Sequence, residues 1–281
     1  MKAKIQIIIA MALFGTISVF VRNIPLPSSA VALCRAAIAL VCLAGFQAAR
    51  GRLPKVRDMG GDVPLLFLSG AAMGFNWIFL FEAYKYTTVS VATLSYYFAP
   101  VLVMALSPVL FRERLTKKQV ACFAGSTIGL ILVINVGGFG GGSHMKGVAF
   151  GLAAAVLYAT VVLMNKRIRR VSGIDRTLMQ FAAAALVLLP YVLLTAGVDF
   201  GGMTPLGWAC LLCVGVLHSG VAYVLYFSAL RTLPGQEAAI LSYIDPLVAV
   251  VISLAVLGEP VTGLQLLGGA MILAFTLINE L

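Results

Sequence analysis

Charged and ionisable residues are scarce in this sequence. Only 11% of its 281 residues are Asp, Glu, Lys or Arg, and it holds ten acidic residues and two histidines. Soluble domains carry about a quarter charged residues, so this composition excludes a soluble protein. With 61% hydrophobic residues and a mean hydropathy of +1.04, the sequence predicts an integral membrane protein.

Signatures of hydrolytic and redox enzymes are also missing. The sequence has no P-loop, HExxH, G-x-S-x-G or dinucleotide fingerprint, so we expect no ATP hydrolysis, no cofactor and no metal. All five cysteines lie in apolar runs, which is typical of small core residues. The Cys210-x-x-Cys213 pair lacks the βαβ context of a redox motif. Two scattered histidines do not supply the clustered groups of a membrane enzyme.

Apolar runs follow one another along the whole chain. A helical span needs about 20 such residues, and the alternating segments of an outer-membrane barrel are absent. No cleavage site follows the first run, so we expect it to be retained. The sequence predicts an all-α protein with ten transmembrane helices, over residues 4–21, 28–49, 64–84, 89–111, 117–136, 147–166, 176–196, 205–230, 237–257 and 262–280.

Lysine and arginine predict the orientation of these spans, because cytoplasmic loops are enriched in both. With the N-terminus inside, all but four of the 20 lysines and arginines fall on the inner side. Arg22, Lys85 and Lys146 fall outside, and Arg35 lies within the second span. Both termini should therefore be cytoplasmic. The net charge of +10 then reflects cytoplasmic loops at the surface of the lipid bilayer rather than a nucleic-acid partner.

The second half of the chain repeats the first. An offset of 146 residues superposes Tyr97 on Tyr243, Pro100 on Pro246, Glu113 on Glu259 and Ala124 on Ala270, and an offset of 144 superposes Phe14 on Tyr158. The pattern predicts a first repeat over 1–139, an inter-repeat loop over 140–146 and a second repeat over 147–281. Each repeat has five spans, so the two have opposite topology, which is typical of inverted-repeat transporters.

The paired prolines indicate where a binding site should lie. Pro100 and Pro246 each fall near the middle of a span, where proline kinks a helix and frees a backbone carbonyl, and matched interruptions of this kind mark transporter sites. Polar residues precede both prolines. The predicted substrate-binding residues are Tyr96, Tyr97, Ser242, Tyr243 and Asp245, with Arg35, Asn76 and Trp77 as further contacts.

Asp245 is the strongest of these candidates, because placing a carboxylate at the centre of a membrane span costs about 3 kcal/mol of free energy. It could bind a cation, exchange a proton or pair with Arg35. Arg35 could clamp a carboxylate or be paired internally. His218 is a second candidate for proton coupling, although a lone intramembrane histidine is more often a hydrogen-bonding contact between helices. We expect Glu259 to serve loop hydrogen bonds, and Glu82 to pair with Lys85.

The segments around the two prolines resemble those of EamA-type proteins in the drug/metabolite transporter superfamily. The second copy holds Asp245-Pro246 and Gly258-Glu259-Pro260-Val261-Thr262, and the first holds Ala99-Pro100 and Arg112-Glu113-Arg114-Leu115-Thr116. The resemblance covers the whole chain, and Arg35 fits an arginine often found in the family's second helix. The resemblance implies a 5+5 inverted repeat around a central cavity. It also implies a transporter of small metabolites in the bacterial plasma membrane, often an exporter of amino acids.

These observations predict a secondary carrier, not an enzyme, that exports a small polar or zwitterionic metabolite by alternating access. One alternative is an importer of a quaternary amine such as choline, with tyrosines and Trp77 as an aromatic cage. An alternative of another class is a membrane-embedded lipid-modifying or lipid-translocating protein. The sequence does not distinguish a monomer from a dimer.

Overall fold

The computed structural model describes residues 2–52, 54, 56–111, 116–135, 141–171, 173–230, 232–233 and 241–280. These residues form helices and loops, with no strand among them. The main helices are α1 (Lys2–Arg22), α2 (Ser28–Ala49), α3 (Val63–Tyr86), α4 (Val89–Tyr96), α5 (Ala99–Phe111), α6 (Lys117–Asn135), α7 (Gly141–Arg167), α8 (Gly173–Thr195), α9 (Pro205–Gly215), α10 (Ala222–Leu230), α11 (Ile244–Ala255) and α12 (Gly263–Glu280).

Seven helical stretches of the described chain are long and apolar enough to cross a bilayer. Two shorter apolar helices cover Ile244–Ala255 and Gly263–Asn279. The prediction of an all-α membrane protein is therefore confirmed, while the count of ten spans stays a prediction.

Local sequence explains where several helices begin. Pro64 lies in the first turn of α3, where its missing N–H has no intrahelical partner to lose. Pro205 opens α9 in the same way, and the Thr204 side chain accepts a hydrogen bond from Gly207 N at 3.0 Å. Thr88 caps α4 by accepting from Val91 N at 3.3 Å. These caps satisfy donors that helices leave free at their first turn.

The predicted inter-repeat loop over 140–146 is wrong from residue 141 onward. Helix α7 begins at Gly141, and its first turns include Ser143 and Lys146. The Lys146 Nζ donates to the Tyr86 hydroxyl at 3.1 Å and lies 4.3 Å from that ring's centroid. This anchor extends the helix beyond the apolar run, so composition alone placed its start too late.

Both proline-containing segments are interrupted, but not by kinks in the middle of a helix. Helix α4 ends at Tyr96 and α5 begins at Ala99, so Pro100 lies in the first turn of a new helix. Pro246 lies in the first turn of α11, directly after the turn at Tyr243. Proline is favoured at such positions, and the predicted kinks are corrected to helix starts. Residues 237–240 of the ninth predicted span lie outside the described residues.

The first helix of each half packs against helices of the other half. Helix α1 packs against α10 and α11, and its second-half counterpart α7 packs against α3, α4 and α5. Helix α6 packs along α12. Buried residues of both halves therefore pack together in the same hydrophobic clusters.

Glycines determine how closely α6 approaches α12. A Cβ atom at Gly125 would overlap the ring of Phe275, and one at Gly129 would lie 2.9 Å from Met271 Cβ. At the offset of 146, Gly125 corresponds to Met271 and Gly129 to Phe275. Both contacts therefore join the same two positions of the repeat, and the half that supplies each position is exchanged between them.

Candidate functional site

A cavity of about 340 Å³ lies where the interruptions of the two halves meet. Pro100 and Tyr97 reach it from the α4–α5 break, and Ser242, Tyr243 and Asp245 reach it from the start of α11. Pockets that take small molecules have volumes of roughly 300–1,000 Å³. The cavity therefore has the volume for one small metabolite.

Tyrosine dominates the wall of this cavity. Of the nine tyrosines in the chain, seven line it: Tyr84, Tyr96, Tyr97, Tyr158, Tyr223, Tyr226 and Tyr243. Several of the rings also contact one another, with centroids 5.4 Å apart for Tyr96 and Tyr158. Such rings offer apolar faces together with hydroxyl groups that donate and accept hydrogen bonds.

Asp245 is the carboxylate among the lining residues. It lies in the first turn of α11, and its Oδ2 accepts a hydrogen bond from the Tyr97 hydroxyl at 2.5 Å. A carboxylate there also interacts favourably with the dipole of the helix. Helix α1 approaches closely because residue 15 is glycine: a Cβ there would lie 2.6 Å from the Asp245 carbonyl oxygen. The first half has Ala99 at the equivalent position, so the acidic group is confined to one side.

Arg35 is the basic residue among the lining residues, and it is 4% exposed. Its Nε donates to Ser219 Oγ at 2.7 Å, and its guanidinium lies 4.5 Å from the ring centroid of Trp77. Within the described chain, no carboxylate lies within 4 Å of this guanidinium. The option that Asp245 pairs directly with Arg35 is therefore wrong, although both line one cavity.

Two predicted residues lie away from the lining. Asn76 is buried, and its Nδ2 donates to the Ala154 carbonyl at 2.6 Å. His218 is also buried: its Nε2 lies 3.1 Å from Thr16 Oγ1, and its Nδ1 lies 3.1 Å from the Cys213 carbonyl. Both residues make helix-to-helix hydrogen bonds, so this geometry favours the structural role weighed for His218.

Other lining residues were not among the predicted site residues. Phe14, Tyr84, Thr93 and Thr276 all border the cavity. Phe14 could have been found, because the repeat aligns it with Tyr158. Tyr84, Thr93 and Thr276 lie in apolar runs, where no sequence feature distinguishes them as site residues. Among the described residues, no group of three or more His, Cys, Asp or Glu side chains could hold a metal ion.

Comparison with known proteins identifies the family. The family model described as EamA-like transporter family matches twice, over residues 1–135 and 145–280. The chain belongs to the EamA-like transporter family.

Individual relatives of this EamA chain span nearly its full length. It is 29% identical to the "Uncharacterized transporter YxxF" of Bacillus subtilis, over 99% of this chain and 90% of the relative. It is 30% identical to the "Probable terminal-alkyne amino-acid exporter" of Streptantibioticus cattleyicolor, over 89% and 83% of the two chains. A crystal structure that is 20% identical matches with a TM-score of 0.68, over 99% of this chain and 96% of the other.

Family membership confirms the resemblance inferred from the proline segments. This EamA protein is a multi-pass membrane transporter, which implies a small-molecule substrate and a lipid environment. The family indicates a transporter rather than an enzyme. The cavity between its halves is the site where a substrate can be proposed.

Proposed function

We propose that this protein is a secondary-active exporter of a small zwitterionic, amino-acid-like metabolite. The carrying observation is the combination of one guanidinium, Arg35, and one carboxylate, Asp245, in the wall of a single cavity. An α-amino acid carries the complementary pair of charges. The Streptantibioticus cattleyicolor relative is named as an amino-acid exporter, which supports both the substrate class and the direction.

In this proposal the two charged groups bind opposite ends of the substrate. Arg35 binds the carboxylate, because a guanidinium presents several donors in one plane. Asp245 and the ring faces of Tyr96 and Tyr97 bind the ammonium group, which aromatic faces attract. Ser242 and Tyr243 complete the midplane site, and Trp77 packs against Arg35.

Alternating access would follow from a 5+5 inverted repeat with ten spans. The two family matches, the exchanged positions of α1 and α7, and the reciprocal contacts of Gly125 and Gly129 support this arrangement. Rocking of the halves about the central cavity would then open it to one face at a time. Both termini would be cytoplasmic, in the plasma membrane.

Asp245 is also the proposed site of proton coupling. A buried carboxylate that binds a cation can exchange it for a proton, since each neutralises the same charge. Protonation would release the ammonium group of the substrate, so a proton gradient could drive export.

The seven tyrosines favour a second candidate, transport of a quaternary amine. Ring faces around one carboxylate are the arrangement that recognises such cations. Arg35 discriminates between the two candidates, because a quaternary amine without a carboxylate has no partner for it.

The test is a binding and flux comparison on purified protein. Thermal stabilisation is measured with L-leucine, with choline and with isovalerate, and uptake of the stabilising compound is then measured in proteoliposomes. Stabilisation and transport of leucine, lost in Arg35→Lys, would support the proposal. The matched control is Arg50→Lys, because Arg50 also lies over a ring, 4.6 Å from the centroid of Phe46, but outside the cavity.

Choline transport that is unaffected by Arg35→Lys would instead favour the quaternary amine. If neither compound class is moved across the membrane while the protein stays folded, the proposed substrate class is wrong.

A further inference from the structure

The eighth predicted span, 205–230, contains a short π-helical segment. Residues Val216–Val221 form it, between α9 and α10. Its side chains bond to carbonyls five residues earlier: His218 Nδ1 lies 3.1 Å from Cys213 O, and Ser219 Oγ donates to Val214 O at 2.9 Å. Single π turns inside helices occur frequently at functional sites, and this one faces α2.

Helix α2 presents one face to the π turn. Residues 35, 38 and 42 recur at the spacing of a single helical face. A Cβ at Gly215 would lie 2.5 Å from Ile38 Cβ, and one at Gly220 would lie 2.9 Å from Cys42 Cβ. The two glycines let the π turn lie directly against α2. Ser219 falls between these glycines and meets Arg35, which lies on the same face of α2.

The hydroxyl group of Ser219 has a defined orientation. A serine hydroxyl has one hydrogen to donate, and Ser219 donates it to the Val214 carbonyl. Its lone pairs are therefore free to accept from Arg35 Nε, at 2.7 Å. Because Ser219 is fully buried, water does not compete for this contact.

The Arg35 guanidinium is consequently held on one edge and one face. Ser219 takes the Nε edge, and Trp77 covers a face at 4.5 Å. Among the described residues, no oxygen accepts a hydrogen bond from Nη1 or Nη2 of Arg35, while the residue lines the cavity. Two parallel N–H donors are the group that binds a carboxylate in bidentate fashion.

We infer that Ser219 is a positioning residue, which from the π turn fixes Arg35 so that its Nη edge receives a carboxylate. This inference rests on the proposed function, because it assigns the orientation of the group proposed to bind substrate. Ser219 itself does not contact the substrate. Its loss lets the guanidinium rotate about its own chain, so discrimination between a carboxylate and a neutral isostere falls.

Trp77 provides a direct reporter for this test. The chain has two tryptophans, and Trp208 lies elsewhere, 42% exposed and stacked on Phe200. A Trp208→Phe background therefore leaves the indole beside Arg35 as the only one. Its emission is titrated with isovalerate, and separately with isovaleramide, which has the same shape without the charge.

In this background we expect isovalerate to change the emission at concentrations at least tenfold lower than isovaleramide. Ser219→Ala should reduce that acid-to-amide preference about tenfold, the effect of removing one hydrogen bond to a charged group. Ser219→Thr, which keeps the hydroxyl, should restore most of it. The matched control is Ser69→Ala, because Ser69 is equally buried and accepts from Gln180 Nε2 at 2.8 Å outside the cavity.

The outcomes separate the inference from the proposed function. If Arg35→Lys abolishes the preference and Ser219→Ala leaves it unchanged, the role of Ser219 is overturned while the carboxylate site stands. If Arg35→Lys leaves the preference unchanged, the proposed substrate orientation fails. If Ser219→Ala does not fold, Ser219→Cys keeps the volume with a weaker acceptor, and an unchanged preference there overturns the inference.

Discussion

Arg22 and Glu259 form an ion pair that joins the two halves of the chain, with Nη1 and Oε1 2.6 Å apart. The other carboxylate oxygen of Glu259 accepts from Val89 N at 2.7 Å and from Ser253 Oγ at 2.5 Å. One side chain thereby holds the end of α1 and the start of α4 beside α11. Glu259 was expected to serve loop hydrogen bonds, but its side-chain partners lie at the ends of α1 and α4 and within α11.

Replacement of this carboxylate should destabilise the protein. Glu259→Gln keeps the volume but removes the charge that Arg22 and two hydrogen-bond donors require, and we expect a loss of about 1–3 kcal/mol. Thermal unfolding in detergent would show this as a midpoint several degrees lower.

Glu82→Gln is the matched control for this prediction. Glu82 pairs with Lys85 at 2.9 Å in a more exposed pair, and such pairs contribute about 1 kcal/mol or less. Equal shifts in the two variants would contradict the role given to Glu259.

Asp245→Asn should abolish the pH dependence of transport without unfolding the protein. The amide keeps the shape of the carboxyl group and can still accept from the Tyr97 hydroxyl, but it cannot exchange a proton. We expect transport to fall at least tenfold, measured as flux in proteoliposomes between pH 5.5 and 8.

Asp199→Asn provides the comparison, because Asp199 lies in an exposed turn and accepts from Gly201 N at 2.7 Å. Full activity of Asp245→Asn with an unchanged pH profile would remove Asp245 from both of its proposed roles.

Gly15→Ala should push α1 away from α11. The new Cβ would lie 2.6 Å from the Asp245 carbonyl oxygen and 2.7 Å from Val248 Cβ, and overpacking of this kind costs about 1–3 kcal/mol. Gly45→Ala is the opposite case, since nothing lies within 4 Å of its Cβ position in α2. Alanine there should stabilise by about 0.5–1 kcal/mol through helix propensity. Unfolding midpoints that move in the same direction would contradict this assignment.

The predicted orientation can be tested by labelling from one side. In a background without the five native cysteines, Asn23→Cys should react with an impermeant maleimide added to intact cells, because the segment after α1 is predicted to be outside. Arg52→Cys, in the exposed segment after α2, should react only after permeabilisation. The reverse pattern would invert the topology and contradict the assignment of cytoplasmic termini.

Sequence patterns located the centre of the candidate site because polar residues are costly in an apolar run. Asp245 and Arg35 stand out on that ground, Tyr97 is predicted from its position before Pro100, and the structure brings all three to one cavity. The same reasoning wrongly placed Asn76 in the cavity. The energetic cost of burying an amide in an apolar run does not show which neighbouring group forms its hydrogen bond. Its partner is a backbone carbonyl of α7, and only the packing of α3 against α7 reveals it.

The role inferred for Ser219 had no sequence signal. In a soluble protein, apolar periodicity separates the buried face of a helix from the exposed one, but lipid-facing and interior residues are both apolar here. The π turn depends on the fit of Gly215 and Gly220 against α2, which is a tertiary contact. The early start of α7 likewise depends on the contact between Lys146 and Tyr86.

The reciprocal contacts between α6 and α12 constrain how the two copies can evolve. Gly125 faces Phe275 and Gly129 faces Met271, so at these two contacts the first repeat supplies both glycines and the second repeat both large side chains. A larger side chain at either glycine would overlap its partner in the other copy, so substitutions along this seam must be compensated in both copies. In the cavity the two copies differ at one such position, where the first repeat has Ala99 and the second has Asp245, whose carboxylate accepts from Tyr97 of the first.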